Sequence, residues 1–445
     1  MEPRLQAGRD AGGLLASDLL DAWPFLSPEE RAEGFRLLAA DEAEEVFEAL
    51  DAREESQLLL EFGRAERQIW MRQLRPDDAA DLVQAAPETA REDLLALLDD
   101  PTRKEVVALL AYAEDDAGGL MSPRYVRVRP EMRVDEAIAY LRRQARERVE
   151  TIYYIYVLDA QQRLLGVVSF RELFAAPAEK TMREVMQTDP ISVPEDLDQE
   201  SVSKLIALHD LMAVPVLDAE GCMKGIVTVD DIVDVVEEEA TEDIQKMGGT
   251  EALDAPYLEV GLLEMVRKRG VWLSALFVGE LFTASAMGYY EHEISKALVL
   301  ALFIPLVISS GGNTGSQAST LVIRAIALGE VRLRDWWRVL RREIATGLAL
   351  GTLLGSIGLL RILLWPSRET LYGPHYALVA LSVGLALIGI VLWGAVAGSM
   401  LPFLLRRLGL DPATASAPFV ATLVDVTGLM IYFSVASTVL RGTLL

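Results

Sequence analysis

Two acidic residues, Glu280 and Asp425, stand inside runs otherwise apolar enough to cross a bilayer. A carboxylate there costs about 2.5–3.5 kcal/mol at the centre of a span and defaults to a functional role. Asp425 lies in PFVATLVDVTGLMIYFSVAS. Thr422 and Thr427 offer a local hydrogen-bonded alternative to an ion path. Glu280 fits either a packing partner or a vestibule charge. A third polar element is ALFIPLVISSGGNTGSQAST (301–320), which sits within the apolar run 297–323. Backbone polar groups must be satisfied internally in lipid. Pro305 and the glycines Gly311, Gly312 and Gly315 therefore suggest a broken helix lining a wet cavity, or close packing of helices through small residues. The polar cluster Asn313, Thr314, Ser316 and Gln317 favours a pathway.

These groups need a membrane scaffold to position them. Five spans are expected at 271–290, 297–323, 344–364, 377–404 and 418–440. Arg267, Lys268 and Arg269 precede the first. Arg324, Arg332, Arg334, Arg338, Arg341 and Arg342 lie between the second and third, and Arg406 and Arg407 between the fourth and fifth. By the positive-inside rule the N-terminus is cytoplasmic and the C-terminus outside. The leading MEPRLQAGRDAGG has no apolar signal segment.

Charge divides the chain of 445 residues. From residue 251 on there are 15 Lys+Arg and 13 Asp+Glu, which leaves 27 and 54 in the first 250, a balance of −27. Such a surface repels phosphates and argues against nucleic acid as a partner; it suits cations. Cys222 is the single cysteine, so no intrachain disulfide or thiolate cage forms. His209 is the only histidine in the first 250 residues, and no nucleophile–base pair or Walker-type phosphate loop is evident. An enzyme is not expected.

The soluble part has three segments. Residues 18–112 read as short amphipathic helices with a weak repeat at a spacing of 36, aligning Asp41 with Asp77 and Glu45 with Asp81. The pattern predicts a superhelical array of paired helices. Acids four apart share a face, which is either plain solvated surface or a loose divalent-cation surface. Residues 118–236 repeat more strongly: LDAQQRLLGVVSFRELF (158–174) matches LDAEGCMKGIVTVDDIV (217–233), a spacing of 59. Each copy reads strand, helix, strand, turn, strand, helix, with core strands at 152–158 and 164–170 and at 213–218 and 224–229. Next, DDIVDVVEEEATEDIQKMGG places Asp231, Asp234, Glu238 and Glu242 on one stripe, unfavourable unless a cation screens it. Residues 256–266 form an amphipathic segment suited to a membrane interface.

The duplicated module resembles a tandem CBS pair. PLVISSGGNTGSQAST, LGLDPA (408–413), VATLVDVTG (420–428), the acidic helical start, the CBS pair and EEEATEDI (237–244) occur together and in order. The chain thus resembles the MgtE-type magnesium channels over nearly its whole length. The resemblance implies a multidomain membrane protein: an acidic, all-α superhelical N domain (1–117), an α/β tandem CBS pair (118–236), a connecting plug-type helix (237–269) and a five-helix all-α transmembrane pore domain (270–445). It implies a homodimer in the lipid of the cell (inner) membrane, with Asp425 holding hydrated Mg2+ and Asn313, Gly311 and Gly312 along the pore. Asp77, Asp81, Asp198, Glu200, Asp210, Asp231, Asp234, Glu239, Glu242 and Asp243 would be regulatory carboxylates, with Asp411 another at the cytoplasmic membrane face. CBS pairs are sensing modules, often for adenine nucleotides, so such a nucleotide is a candidate ligand. Ala417 departs from the family pattern, where a polar residue precedes the proline of the last span.

The residues agree with the resemblance. Magnesium gives up water reluctantly, and Asp425 from each of two subunits could hold a hydrated ion. No His/Cys cluster suited to a softer metal is present. The membrane potential supplies about 4.6 kcal/mol per 100 mV for a divalent ion. The expected function is Mg2+ influx closed by cytosolic Mg2+. The alternative is a CBS-regulated secondary transporter of another divalent cation.

Overall fold

The computed structural model describes residues 14–144, 153–253, 255–258 and 260–444. The leader at 1–13, residue 152 at the head of an expected strand, and residue 259 of the amphipathic segment lie outside the described residues. The chain forms two compact units, Met1–Glu237 and Glu238–Leu445.

Among its described residues the first unit opens with eight short α-helices: α1 (Ala16–Ala22), α2 (Pro28–Arg36), α3 (Ala40–Glu48), α4 (Ala52–Glu61), α5 (Arg64–Met71), α6 (Pro76–Ala85), α7 (Glu88–Leu95) and α8 (Asp100–Leu109). Their first residues recur every 12 positions. The spacing of 36 is therefore three helices, and the unit of repetition is one helix rather than a pair. Each is too short to be stable alone, so it survives by burying a narrow stripe, such as Ala43, Val46 and Phe47 of α3. Next-but-one helices pack together, α2 on α4, α4 on α6 and α6 on α8, which winds the array into a superhelix. Ser27 and Glu30 close a capping box at α2, and Asp51 caps α4.

The duplicated module follows with α9 (Ala117–Leu120), β1 (Arg127–Val128), α10 (Val134–Gln144), β2 (Tyr154–Leu158), β3 (Leu164–Ser169), α11 (Phe170–Ala175), α12 (Met182–Val185), β4 (Gln187–Thr188), β5 (Val193–Pro194), α13 (Gln199–His209), β6 (Ala213–Leu217) and β7 (Met223–Thr228). Sheet orders are β1-β2-β3-β4 and β5-β6-β7. The copies match in detail: Tyr154 pairs with Ser169 and Ala213 with Thr228, and the register slips at Val157/Leu158 and again at Val216/Leu217. A bridge between Arg163 and Cys222 joins equivalent positions of the two copies. The second copy shares one core with the helical array, in which Val202, Ile206 and Val214 pack with Leu82 and Val106.

Helix α14 (Val229–Met247) leads out of the module. Among its described residues the second unit has five helices long and apolar enough to cross a membrane: α15 (Leu262–Tyr289), α17 (Ile304–Ala327), α18 (Trp336–Leu363), α20 (Tyr376–Arg407) and α21 (Ala417–Val439). Short helices α16 (Glu291–Lys296) and α19 (Arg368–Tyr372) lie in two of the connections. Three expectations change. The amphipathic segment is no separate element from residue 262 on, because α15 runs without interruption through Arg267–Arg269 into the first span. Helix α18 starts at Trp336, taking Arg338, Arg341 and Arg342 out of the loop.

Helix α17 is also unbroken. Pro305 sits in its first turn, where a missing N–H costs nothing. The glycines serve contact. A Cβ at Gly311 would meet Ile390 and Val424, and one at Gly315 would lie 2.7 Å from Val420 Cγ1 and 3.1 Å from the Gly394 carbonyl. Reciprocally, Gly394 and Gly398 of α20 face the carbonyls of Gly311 and Gly315. Small residues thus bring the two backbones together. A second glycine face, Gly347, Gly351, Gly355 and Gly358 of α18, packs on α20.

Candidate functional site

Asp425 lies in the third turn of α21. It is half-buried and, among the described residues, makes no hydrogen bond or ion pair. The local structural alternative loses Thr427, whose hydroxyl accepts from Trp393 Nε1 at 2.7 Å and donates to the Leu423 carbonyl at 2.7 Å. Packing on either side fixes the height of Asp425: Val424 and Gly428 are buried against Ile390 of α20. From α17, Ser316 Oγ donates to the Ala417 carbonyl at 3.0 Å and Ser319 Oγ to that of Ala415 at 2.7 Å. Ala417 therefore contributes through its backbone, and the polar cap of α21 comes from Ser416, whose Oγ accepts from Phe419 N–H at 3.3 Å.

Gly312 opens the space in front of this carboxylate. A Cβ there would stand 3.7 Å from Asp425 Oδ1 and 3.4 Å from Ala421 Cβ. Gly311 and Gly312 thus divide the tasks: the first packs, the second faces the acid. Beside Gly312 runs an exposed stripe at one face of α17, Ser309, Asn313, Gln317 and Thr320. Asn313 Nδ2 donates to Ser309 Oγ at 3.3 Å. Thr314, which the sequence grouped with this cluster, is buried and donates to the Ser310 carbonyl. A polar stripe left uncovered in a span is ill suited to acyl chains and suits water or a second polypeptide.

A second set of acids lies where α14 ends. Lys246 Nζ is 2.6 Å from Glu242 Oε1 and 2.7 Å from Asp411 Oδ2. Burial works against the charge of Lys246, but the bonds to Asp411 and Glu242 outweigh it and hold its pKa above the usual lysine range. Asp411 is fixed in turn by accepting from Ala413 N–H at 2.8 Å. Next along the chain, Met247 packs with Ile323, Ala413 and Ala415. Gly249, at φ +75°, lets the chain turn against Trp272 and Pro418 where a side chain would collide. Lys268 Nζ donates to the Ala252 carbonyl at 2.5 Å. Glu239 and Asp243 are half-buried on the same helix, and Glu238 is exposed.

The remaining candidate carboxylates lie in the first unit, most of them in structural settings. Asp77 is buried and accepts from Ser122 Oγ at 3.3 Å, while Asp81, one turn on, is exposed. Asp198 caps α13 by accepting from the N–H groups of Glu200 and Ser201. Glu200 pairs with Lys204 at 2.5 Å, and Asp210 closes α13 in the left-handed conformation at φ 51°. Asp231 accepts from Thr228 Oγ1 at 2.5 Å, and Arg75 stands 3.9 Å away. Its pKa is pushed up to about 6 by burial, against the Thr228 hydrogen bond, with Asp230 adding to the rise and Arg75 opposing it. Asp234 is largely exposed, and the partial loss of solvent around its carboxylate, then Glu237 and Asp230, raise its pKa. Among the described residues no three of His, Cys, Asp and Glu converge on a point that could hold a metal ion.

Residues 304–435 match the divalent cation transporter family MgtE, residues 14–115 the MgtE intracellular N domain, and residues 117–179 and 182–238 the CBS domain. The magnesium transporter MgtE of Thermus thermophilus is 42% identical over 431 residues, which cover 96% of this chain and 93% of that protein. The chain belongs to the MgtE family. The magnesium transporter MgtE of Bacillus subtilis is 31% identical, covering 93% of this chain and 89% of that protein. A crystallised cytosolic domain of the Mg2+ channel MgtE in complex with ATP is 42% identical, with a TM-score of 0.47, over 50% of this chain and 90% of that one. MgtE proteins are transporters, and this chain is not an enzyme.

Three groups in this MgtE chain escaped the sequence reading. Lys246 stands one turn after Glu242, a visible i,i+4 signal, but its second partner lies 165 residues away. Arg75 bonds to Asp78 at 2.8 Å and reaches Asp230 and Asp231 at 3.9 Å. Glu55 of α4 is buried, and burial, with the charges of Asp78, Asp51 and Asp81, pushes its pKa up to about 9. An acid at an inward position of a short amphipathic helix was its only sequence signal.

Proposed function

We propose that this chain forms a homodimeric, magnesium-selective channel. The single observation that carries the reading is Asp425: an intramembrane carboxylate without a partner among the described residues, facing Gly312 at the edge of the Ser309–Asn313–Gln317 stripe. One such carboxylate from each subunit can hold a hydrated Mg2+ through its waters without stripping it. Asn313 lines the route; Gly311 supports it by packing. Basic residues at one end of the spans put the N-terminus in the cytoplasm and the C-terminus outside.

Gating is assigned to the segments 1–117, 118–236 and 237–269. At low cytosolic Mg2+ their acids repel and the soluble part loosens. At high Mg2+, ions bridge Asp77, Asp81, Asp198, Glu200, Asp210, Asp231, Asp234, Glu239 and Asp243, and displace the Lys246 ammonium from Glu242 and Asp411, as these faces and the two subunits come together, and the connecting helix closes the pore. Several weak sites can bias one closed state far, because bias scales with differential affinity. An adenine nucleotide is assigned to the CBS pair. The test is excised-patch recording with Mg2+ varied at the face bearing the soluble domains: currents fall as Mg2+ rises there, without any coupling ion. Currents indifferent to that Mg2+ would remove the sensor.

A further inference from the structure

The proposed path uses Asp425 and leaves the other intramembrane acid, Glu280, without a task. Helix α15, which carries it, is the least covered of the five spans: 6% of its apolar window is buried, against 28–61% for the others. Its contact with the rest of the chain is chiefly with α21. At that contact a Cβ on Gly279 would lie 2.8 Å from Thr422 Cγ2, one turn before Asp425. Glu280 is the next residue. It is exposed and, among the described residues, has no hydrogen bond or ion pair.

Depth agrees with this contact. Glu280 lies 11 residues past Arg269, about 16 Å along a helix, near the middle of a hydrocarbon layer of about 30 Å. Asp425 lies eight residues into α21, about 12 Å from its start. An unpaired carboxylate at that depth is expensive against acyl chains, and like charges carried at one helix contact repel unless a cation lies between or beside them. Both costs fall if Glu280 borders the same water-filled, cation-carrying route as Asp425.

We propose that Glu280 is a second carboxylate of the cation path, a specificity-determining residue that adds its charge to that of Asp425 and sets the preference for divalent over monovalent cations. The proposal rests on the reading of Asp425 as a path residue. It is tested on the full-length protein by the Mg2+ concentration that blocks Na+ current in otherwise divalent-free solution. Glu280→Gln should shift that concentration upward about tenfold while Na+ current persists, and Glu280→Asp should stay near the wild type. In a Cys222→Ser background, Glu280→Cys should react with a membrane-impermeant thiosulfonate. An anionic reagent should restore the block; a cationic one should not. An unchanged block in Glu280→Gln, or a Glu280→Cys thiol inert to the impermeant reagent, overturns the proposal. If Asp425→Asn shifts the block and Glu280→Gln does not, the Glu280 assignment alone fails. If Asp425→Asn leaves the block unchanged, the underlying reading of Asp425 fails as well.

Discussion

The intramembrane acids and the acids at the end of α14 are both carboxylates in a cation transporter, yet they are set up in opposite ways. Asp425 is held in place by its helix and left without a partner among the described residues. Asp411 and Glu242 are already joined by a cation, the ammonium of Lys246. A carboxylate meant to pass an ion along has to avoid a permanent partner, since a fixed ammonium would compete with the cargo. A carboxylate meant to hold two elements together gains from one. The contrast separates transport from docking in physical terms, and it can be broken at several points.

The largest effect is expected from the scaffold that both sets depend on. Gly398→Val would drive a side chain into the Gly315 backbone, which has nowhere to move. Overpacking of this kind costs about 1–3 kcal/mol or more, and the variant should be recovered largely as aggregate in size-exclusion chromatography. Gly261→Ala, where nothing stands within 4 Å, should elute as the wild type.

The docking side of the contrast comes next. Lys246→Met leaves Asp411 and Glu242 facing each other without their shared cation. Hydrogen exchange over residues 240–250, measured with a chelator present, should accelerate about tenfold, the equivalent of losing one partly buried charge-assisted bond. Lys246→Arg should keep most of the protection, and exchanging the charges in Lys246→Asp with Asp411→Lys should recover part of it. Unchanged exchange in Lys246→Met would make the bridge incidental.

The last test concerns an acid of a third kind, one kept neutral, whose effect is spread over several units of pH. The folded pKa of Glu55 is raised from 4.5 to about 9, so the folded state holds a proton that the unfolded chain has released. Its contribution to stability is complete below about pH 4.5 and is lost as pH rises towards 9. The slope is at most about 1.4 kcal/mol per pH unit. Thermal unfolding of the helical array, followed through Trp23 and Trp70, should fall with pH over this window in the wild type and flatten in Glu55→Gln. Parallel curves for the two proteins would mean that Glu55 is ionised in the fold.

What could be read from sequence followed the range of the interaction. The CBS repeat was legible because strand alternation and turns recur 59 residues apart with matched register. The helical array was legible only at every third helix, because α3 and α6 share acids that the intervening helices lack. The glycines of α17 leave a break and a close contact equally open in the sequence, because composition alone does not tell a turn from a contact. That distinction lies in Gly394 and Gly398, on another helix. Asp425 could be singled out because an acid in an apolar span stands out by itself. Thr427 is lost to it locally, because its hydroxyl donates to the Leu423 carbonyl four residues back, whereas the tie from Lys246 to Asp411, 165 residues apart, was out of reach.

The account turns on Asp425 as the group the ion meets. The most direct measurement is Mg2+ uptake into proteoliposomes under an imposed inside-negative potential, comparing wild type with Asp425→Ala and checking assembly by cross-linking and size-exclusion chromatography. Uptake by the wild type and background flux from an Asp425→Ala protein that assembles and elutes normally is the predicted result. Wild-type uptake by a correctly assembled Asp425→Ala protein would contradict it and remove Asp425 from the path.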